Sequence, residues 1–486
     1  MKRQHRITLL KYAKGNIWLL IIPLVRSVFL LKGNFGKWFN MVYMDIFVIL
    51  LVFGAAWLKW YCTQFEFGKK ELYVKKGVLI SKEIKLPYSR ISCRVFHRPF
   101  LFRPFKVMKI YVEIDACSAS QLRKKSDVAL IVSEIDYTQI SQNMPIEILK
   151  ASENYCASKK EIFLFSICFS STLPGLVYLG TVLIQGGRIV GEKSKDVFIS
   201  VVNELTEAVE KIDGNAEESA SIFLLTIAAG WLVSFAIKMV RYIHFKISRF
   251  GKNILIENGY FSSWKYIVNY SRINTVDIRQ NLLMKITRTM SVHINCSGYG
   301  RRKNELALFI PITTKRRAIN MIERMLPDFT PSNIRLKVKR TYIMAYIWLP
   351  LLLAIVVALL TALVVKLNYE WADIVKFIGV MAEIPLVYLL IVRVAAKMST
   401  GIGASDDSVT VSYCRAIRFH TVVVPKERIS YIKIRRTPLQ RASGCCDVII
   451  YARGGHTRGH KVRGMVYAEA LLLVENWRKM CQNAHL

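Results

Sequence analysis

The 486-residue chain is short of acids and empty of the motifs that carry catalysis. It has no P-loop, no H-E-x-x-H, no G-x-S-x-G and no pair of C-x-x-C motifs, which removes the readiest grounds for an enzyme. Only 34 Asp and Glu stand against 70 Lys and Arg, and a formal charge of +36 admits an anionic membrane surface or nucleic acid as partner. Hydrophobic residues make up 53%, too many for a soluble multidomain enzyme and suited to a chain divided between lipid and water.

Apolar runs of membrane-spanning length fall at 17–31, 39–58, 162–184, 220–237, 342–365 and 374–392. With the N-terminus inside, the outer segments are 32–38, 188–219 and 366–373. They hold fewer basic than acidic residues, whereas the first sixteen residues hold Lys2, Arg3, Arg6, Lys11 and Lys14 with no acid. That asymmetry orients both termini to the cytoplasm and favours the cell membrane over nucleic acid. No small-residue cleavage site follows Leu31, so the first run reads as an uncleaved anchor. None of the ten cysteines lies in an outer segment, and Cys445 and Cys446 are adjacent, so disulfides are not expected.

The hydrophilic blocks after each pair of spans repeat one another. They read LPYSRISCRVFHRPFLFR, VNYSRINTVDIRQNLLMK and VPKERISYIKIRRTPLQR, and they align on Arg90, Arg272 and Arg428, each followed by Ile. Arg103, Lys285 and Arg441 then match, as do Leu101, Leu283 and Leu439. So do Ile110, Val292 and Val448, with Val112, Ile294 and Ile450 two residues on, the period of a strand with one buried face. Upstream, LYVKKGV and LIENGY read as hairpins turned at Gly77 and Gly259, where block three has Arg415. Helices are expected over 314–326, with Ala318, Ile319, Ile322 and Leu326 on one face, and over 466–477, with Ala470, Leu471, Val474 and Trp477. A weaker one is expected around 135–144.

On these residues the chain resembles bacterial membrane proteins of the YdbT-like kind, built from repeated pleckstrin-homology-like (PH-like) domains of the second bacterial type, each preceded by a transmembrane hairpin. The resemblance rests on P-x-S/E-R-I at Pro87–Ile91 and Pro425–Ile429, on the element near Arg98 and Arg436, and on the order of hairpin and domain. Block two departs with Asn269 for the Pro and Gln280 for the Arg. The implied architecture is an α+β membrane protein with six transmembrane helices in three hairpins, each followed by a cytoplasmic PH-like β-barrel with a C-terminal helix. The divisions are 1–58, 59–150, 162–237 with an acidic outer loop at 188–219, 238–330, 342–392 and 397–486. The resemblance implies no enzymatic activity, cofactor or metal.

Candidate site residues are mostly basic. A cationic loop precedes the last strand of each block, with Arg123, Lys124 and Lys125; Arg301, Arg302 and Lys303; and Arg458, Lys461 and Arg463, suited to phosphate oxygens of anionic lipid or to an acidic partner. Within the spans, Arg26 and Asp45 sit at matching depths for an ion pair. Glu383 lies about 13 Å deep by helical rise with no evident partner in the fifth span. The acidic outer loop carries an apolar stripe from Val197 to Ile212. The GIGAS run at Gly401 reads as a linker, and His456 and His460 as part of a solvated loop. The expected function is a non-enzymatic scaffold that binds membrane lipid, a second membrane protein or another copy of itself, in envelope stress or antimicrobial resistance. The alternative is a transporter or lipid-handling protein working through Glu383.

Overall fold

The computed structural model describes residues 1–15, 42–68, 70–114, 128–136, 152–169, 218–296, 299, 307–367, 372–405, 407–453 and 459–483. Elements are numbered within those residues.

One plan is used three times. The first repeat comprises β1 (Lys2–Arg3), α1 (Thr8–Gly15), α2 (Val42–Tyr61), β2 (Gln64–Phe67), β3 (Glu71–Lys76), β4 (Lys82–Pro87), β5 (Ile91–Arg98), β6 (Val107–Ile114) and β7 (Val128–Ser133). The second comprises β8 (Glu153–Cys156), α3 (Lys159–Phe169), α4 (Glu218–Tyr242), β9 (Lys246–Phe250), β10 (Asn253–Asn258), β11 (Ser263–Asn269), β12 (Ile273–Gln280), α5 (Leu282–Ile286), β13 (Thr289–Cys296), β14 (Leu308–Thr314) and α6 (Lys315–Met325). The third comprises β15 (Leu336–Lys337), α7 (Met344–Leu367), α8 (Ala372–Ser399), β16 (Gly401–Ala404), β17 (Ser408–Arg415), β18 (Arg418–Pro425), β19 (Ile429–Arg435), α9 (Pro438–Ala442), β20 (Cys445–Ala452), β21 (His460–Val466) and α10 (Tyr467–Asn483). In every repeat a short strand ahead of the helices returns to the sheet that follows them, β1 on β2, β8 on β9 and β15 on β16.

Local chemistry explains the recurrence. Alternation buries Leu72 and Val74 in β3 and Ile254 and Ile256 in β10, and the same rule buries all six period-two residues from Ile110 to Ile450. Gly77 and Gly259 turn the hairpins with φ of 127° and 96°, and a Cβ there would stand 1.9 and 2.1 Å from a carbonyl oxygen. In block three the positive φ falls instead on Ala416, beside Arg415. The P-x-S/E-R-I signature is a single 3-10 turn between two strands, entered from Pro87 at φ −62° and Pro425 at −59°. Asn269 replaces the Pro by accepting a hydrogen bond from Ser271 N at 3.0 Å.

The sheets do not stop at the repeat boundaries. β1-β2-β3-β4 stands alone, but the next sheet runs β7-β6-β5-β11-β10-β9-β8 and the third runs β14-β13-β12-β18-β17-β16-β15, leaving β19-β20-β21. Repeat one is thus joined to repeat two through β5 and β11, and repeat two to three through β12 and β18. Cores follow: Val95 and Val423 pack within the core of the second repeat, and Ile267 within that of the first.

Three expectations change. Gly401–Ala404 is strand β16, not a linker, and its glycines are needed because a Cβ at 401 or 403 would meet a backbone oxygen of Leu336 or Asn333. On α10 the inward residues are Ala470 and Leu473 with Trp477, while Leu471 points out. His460 is on β21, not in a solvated loop.

Among the described residues one helical segment, Arg340–Leu367, is long and apolar enough to cross a membrane, and Ile46–Tyr61 is a shorter apolar helix. Segment 17–31, the outer loop at 188–219 up to residue 217, and most of the helix expected around 135–144 lie outside the described residues.

Candidate functional site: the helix-proximal end and the seams

Strand direction sorts each repeat into two ends. The β3–β4 and β10–β11 turns and the β5–β6 connection lie beside the helix ends. Gly259 N donates to Ile243 O at 3.0 Å, the Tyr260 and His244 rings stack, and Phe419 packs on Val392 and Ala396 of α8. This end exposes large apolar side chains next to cations. Leu79 is 97% exposed and Ile80 75%, with Tyr260, Phe261, Leu283, Ile286, Ile417 and Leu439 open as well. At Leu79, Ile80, Tyr260 and Phe261 the sequence signal is an apolar run directly after a turn glycine, which hairpin periodicity alone does not report.

A cavity of about 370 Å³ opens in the first repeat between α1, α2 and the β3–β4 turn, lined by Tyr12, Lys59, Thr63, Lys76, Gly77, Val78 and Leu79. Burial and then the charge of Lys11 pull the Lys76 ammonium below its ordinary value. The described lining residues include no acid, so the cavity is suited to a phosphate or another small anion.

The aligned arginines are staples between repeats. Arg272 Nη2 donates to Ser89 O at 3.3 Å and Arg428 Nη2 to Ser271 O at 2.5 Å, each reaching the residue just before the signature Arg of the preceding repeat. Arg103 Nη2 donates to Tyr260 O at 2.6 Å, and Lys285 Nζ lies 4.1 Å from the Phe419 ring centroid, again across the boundary. Arg98 pairs with Glu134, Gln280 donates to Thr289 O, and Arg436 covers the Tyr467 ring, three local solutions at one aligned position.

The second seam holds a buried polar cluster. His420 Nδ1 lies 3.0 Å and Arg279 Nε 2.6 Å from Asp277 Oδ2, and His293 stands opposite Asp277 on β13. Burial pushes the Asp277 carboxyl up, but Arg279 and His420 overcome it and hold the group below the carboxylate range. Burial, then Arg279, holds His293 well below its ordinary value, so it is neutral. Tyr413 stacks on His420 and meets His460 Nδ1 at 3.0 Å. No cluster that could hold a metal occurs among the described residues.

The basic-loop residues Arg123, Lys124, Lys125, Arg301, Arg302, Lys303 and Arg458 lie outside the described residues. Their flanking strand ends, Ile114 opposite Ile91 and Val128 opposite Val112, are at the end of the sheet away from the helices. Lys461 and Arg463 are on β21, Lys461 paired with Asp447 at 2.8 Å and Arg463 exposed. Arg26 lies outside the described residues, and Asp45 is on α2. Glu383 lines a cavity of about 600 Å³ between α7 and α8 with Thr361, Lys376 and Gly379, and its Oε1 is buried without a hydrogen bond.

Comparison with known proteins places this arrangement. The bacterial PH domain family matches residues 7–139, 197–324 and 343–479, and the chain belongs to that family. It is also similar to the UPF0699 transmembrane protein YdbT of Bacillus subtilis (strain 168), 18% identical over 336 residues. That match covers 64% of this chain and 65% of the relative, so the chain spans about two thirds of the relative's length. Three bacterial PH domains and a distant transmembrane relative fit a membrane protein with PH-like modules.

Proposed function

We propose that the chain is a non-enzymatic, multi-pass scaffold of the cell membrane. Six helices in three hairpins hold three cytoplasmic PH-like modules, joined edge to edge, against the inner leaflet. The observation that carries this reading is the helix-proximal end, where open apolar tips flank the Lys59 and Lys76 cavity. Apolar residues at headgroup depth beside cations favour anionic lipid, each cation contributing about 1 kcal/mol near such a surface. The basic loops leave from strand ends on the far side, which favours an acidic cytoplasmic partner for Arg123 to Lys125 and Arg301 to Lys303.

The test is lipid analysis of the full chain purified from native membranes. Lys59→Ala with Lys76→Ala should lower retained anionic lipid relative to zwitterionic lipid without changing yield. Unchanged retention would sink the lipid role.

The intramembrane cavity favours a second reading. A carboxyl oxygen buried without a hydrogen bond is costly and marks a group that takes up a proton or a ligand during a cycle. If the chain moves a solute, Glu383→Gln should abolish its transport in proteoliposomes while leaving insertion intact.

A further inference from the structure

Two strand edges are left over by the pattern that joins the repeats. β4 is the counterpart of β11 and β18, and β19 the counterpart of β5 and β12, yet among the described residues both are sheet edges. The two filled seams use one register. Val95 pairs with Tyr266 and Asp277 with Val422, in both cases the residue five after one signature Arg with the residue six before the next. Exposure follows occupancy. β5 and β12 bury most of their length, whereas β19 exposes Ser430, Tyr431, Lys433 and Arg435. On β4, Lys82, Glu83 and Lys85 are exposed. The staple is left over too, because Arg90 is exposed where Arg272 and Arg428 are half-buried.

We propose that the open edges pair between two copies of this chain, β19 of one with β4 of the other, in a head-to-tail association that repeats the internal seams. The shared register sets Lys433 opposite Ile84 and Tyr431 opposite Leu86, with Arg90 donating to Glu427 O as Arg428 does to Ser271 O. Leu439, 84% exposed and one position beyond the counterpart of Phe100, would close on Leu79, the counterpart of the Phe261 that meets Phe100 in the first seam. Main-chain hydrogen bonds supply the joining force, as in any strand added to an open edge. The contact is heterologous, so it grows into a ring or a line of copies in the membrane plane. Arg435 stands opposite Lys82 in this register, a like-charge pair that weakens association and that salt screens. The pairing is independent of what the helix-proximal end binds.

The test is cross-linking of full chains co-expressed with two different tags, one carrying Ile84→Cys and the other Lys433→Cys, followed by oxidation in isolated membranes. A disulfide-linked product bearing both tags is expected, absent when either variant is paired with the native chain and absent for Lys433→Cys with Lys75→Cys, which sits one strand inward. Its yield should rise with ionic strength. No dual-tagged product from chains that purify as folded, or equal product in the displaced control, would overturn the proposal. A product joining the Lys433→Cys chain to a different protein would overturn the choice of a second copy.

Discussion

Asp277 and His293 make the second seam sensitive to acid. Both groups have folded values below their unfolded ones, so the stability they contribute is present above the unfolded values and is lost as pH falls. His293 acts first, because the unfolded chain takes up a proton near the ordinary imidazole value while the buried ring, beside Arg279 and near Arg418, does not. Stability should fall between pH 7 and 5 by up to about 1.4 kcal/mol per pH unit for this one group. Denaturant unfolding of the full chain in detergent measures it, and His293→Asn should flatten part of the slope; an unchanged slope would remove His293 from the explanation. At the same scale the staples differ by position. Arg428→Ala, losing a charged donor to a backbone carbonyl, should lower stability by about 1 kcal/mol, whereas Arg90→Ala should cost little in a monodisperse monomer. Equal losses would mean the signature Arg serves its own repeat.

At the scale of elements, the β3–β4 and β10–β11 turns are the most demanding pieces of backbone. Gly259→Ala combines positive φ with a Cβ 2.1 Å from Ser262 O, and it should destabilise by more than about 1 kcal/mol, whereas Gly54→Ala, with open space around it, should not. Thermal unfolding of the two variants separates these outcomes, and equal midpoints would contradict the turn geometry. These turns were legible in the sequence because a glycine at a fixed distance before the signature Arg has one local cause. The strands were legible for the same reason, since buried residues recur two apart in all three copies, Ile110 and Val112, Val292 and Ile294, and Val448 and Ile450, although in the third copy the residue between them is the apolar Ile449. The pairing of β5 with β11 was not legible. An edge strand and a paired strand differ in what accepts their backbone hydrogen bonds, which side-chain pattern does not record, and so Arg272 and Arg428 read as a signature without a role. Strands β1, β8 and β15 leave no periodic pattern, because they are two to four residues long and lie ahead of the helices rather than after them.

For the whole molecule, orientation and continuity are separate questions. Lys195→Cys and Asp213→Cys should label from outside intact cells. Cys156 is exposed and should label only after permeabilisation, making it a better inner marker than Cys93, Cys296 or Cys445, which are buried. Labelling of Cys156 in intact cells would invert the topology. The six-helix count and the basic loops came from hydropathy and charge, which report where a segment resides and not what it touches. The three modules form one body through continuous sheets, and hydrogen exchange on the reconstituted full chain reads that continuity. Peptides covering β11 and β18 should exchange as slowly as the interior strand β13; exchange as fast as that of solvent-open edge strands would contradict the seams.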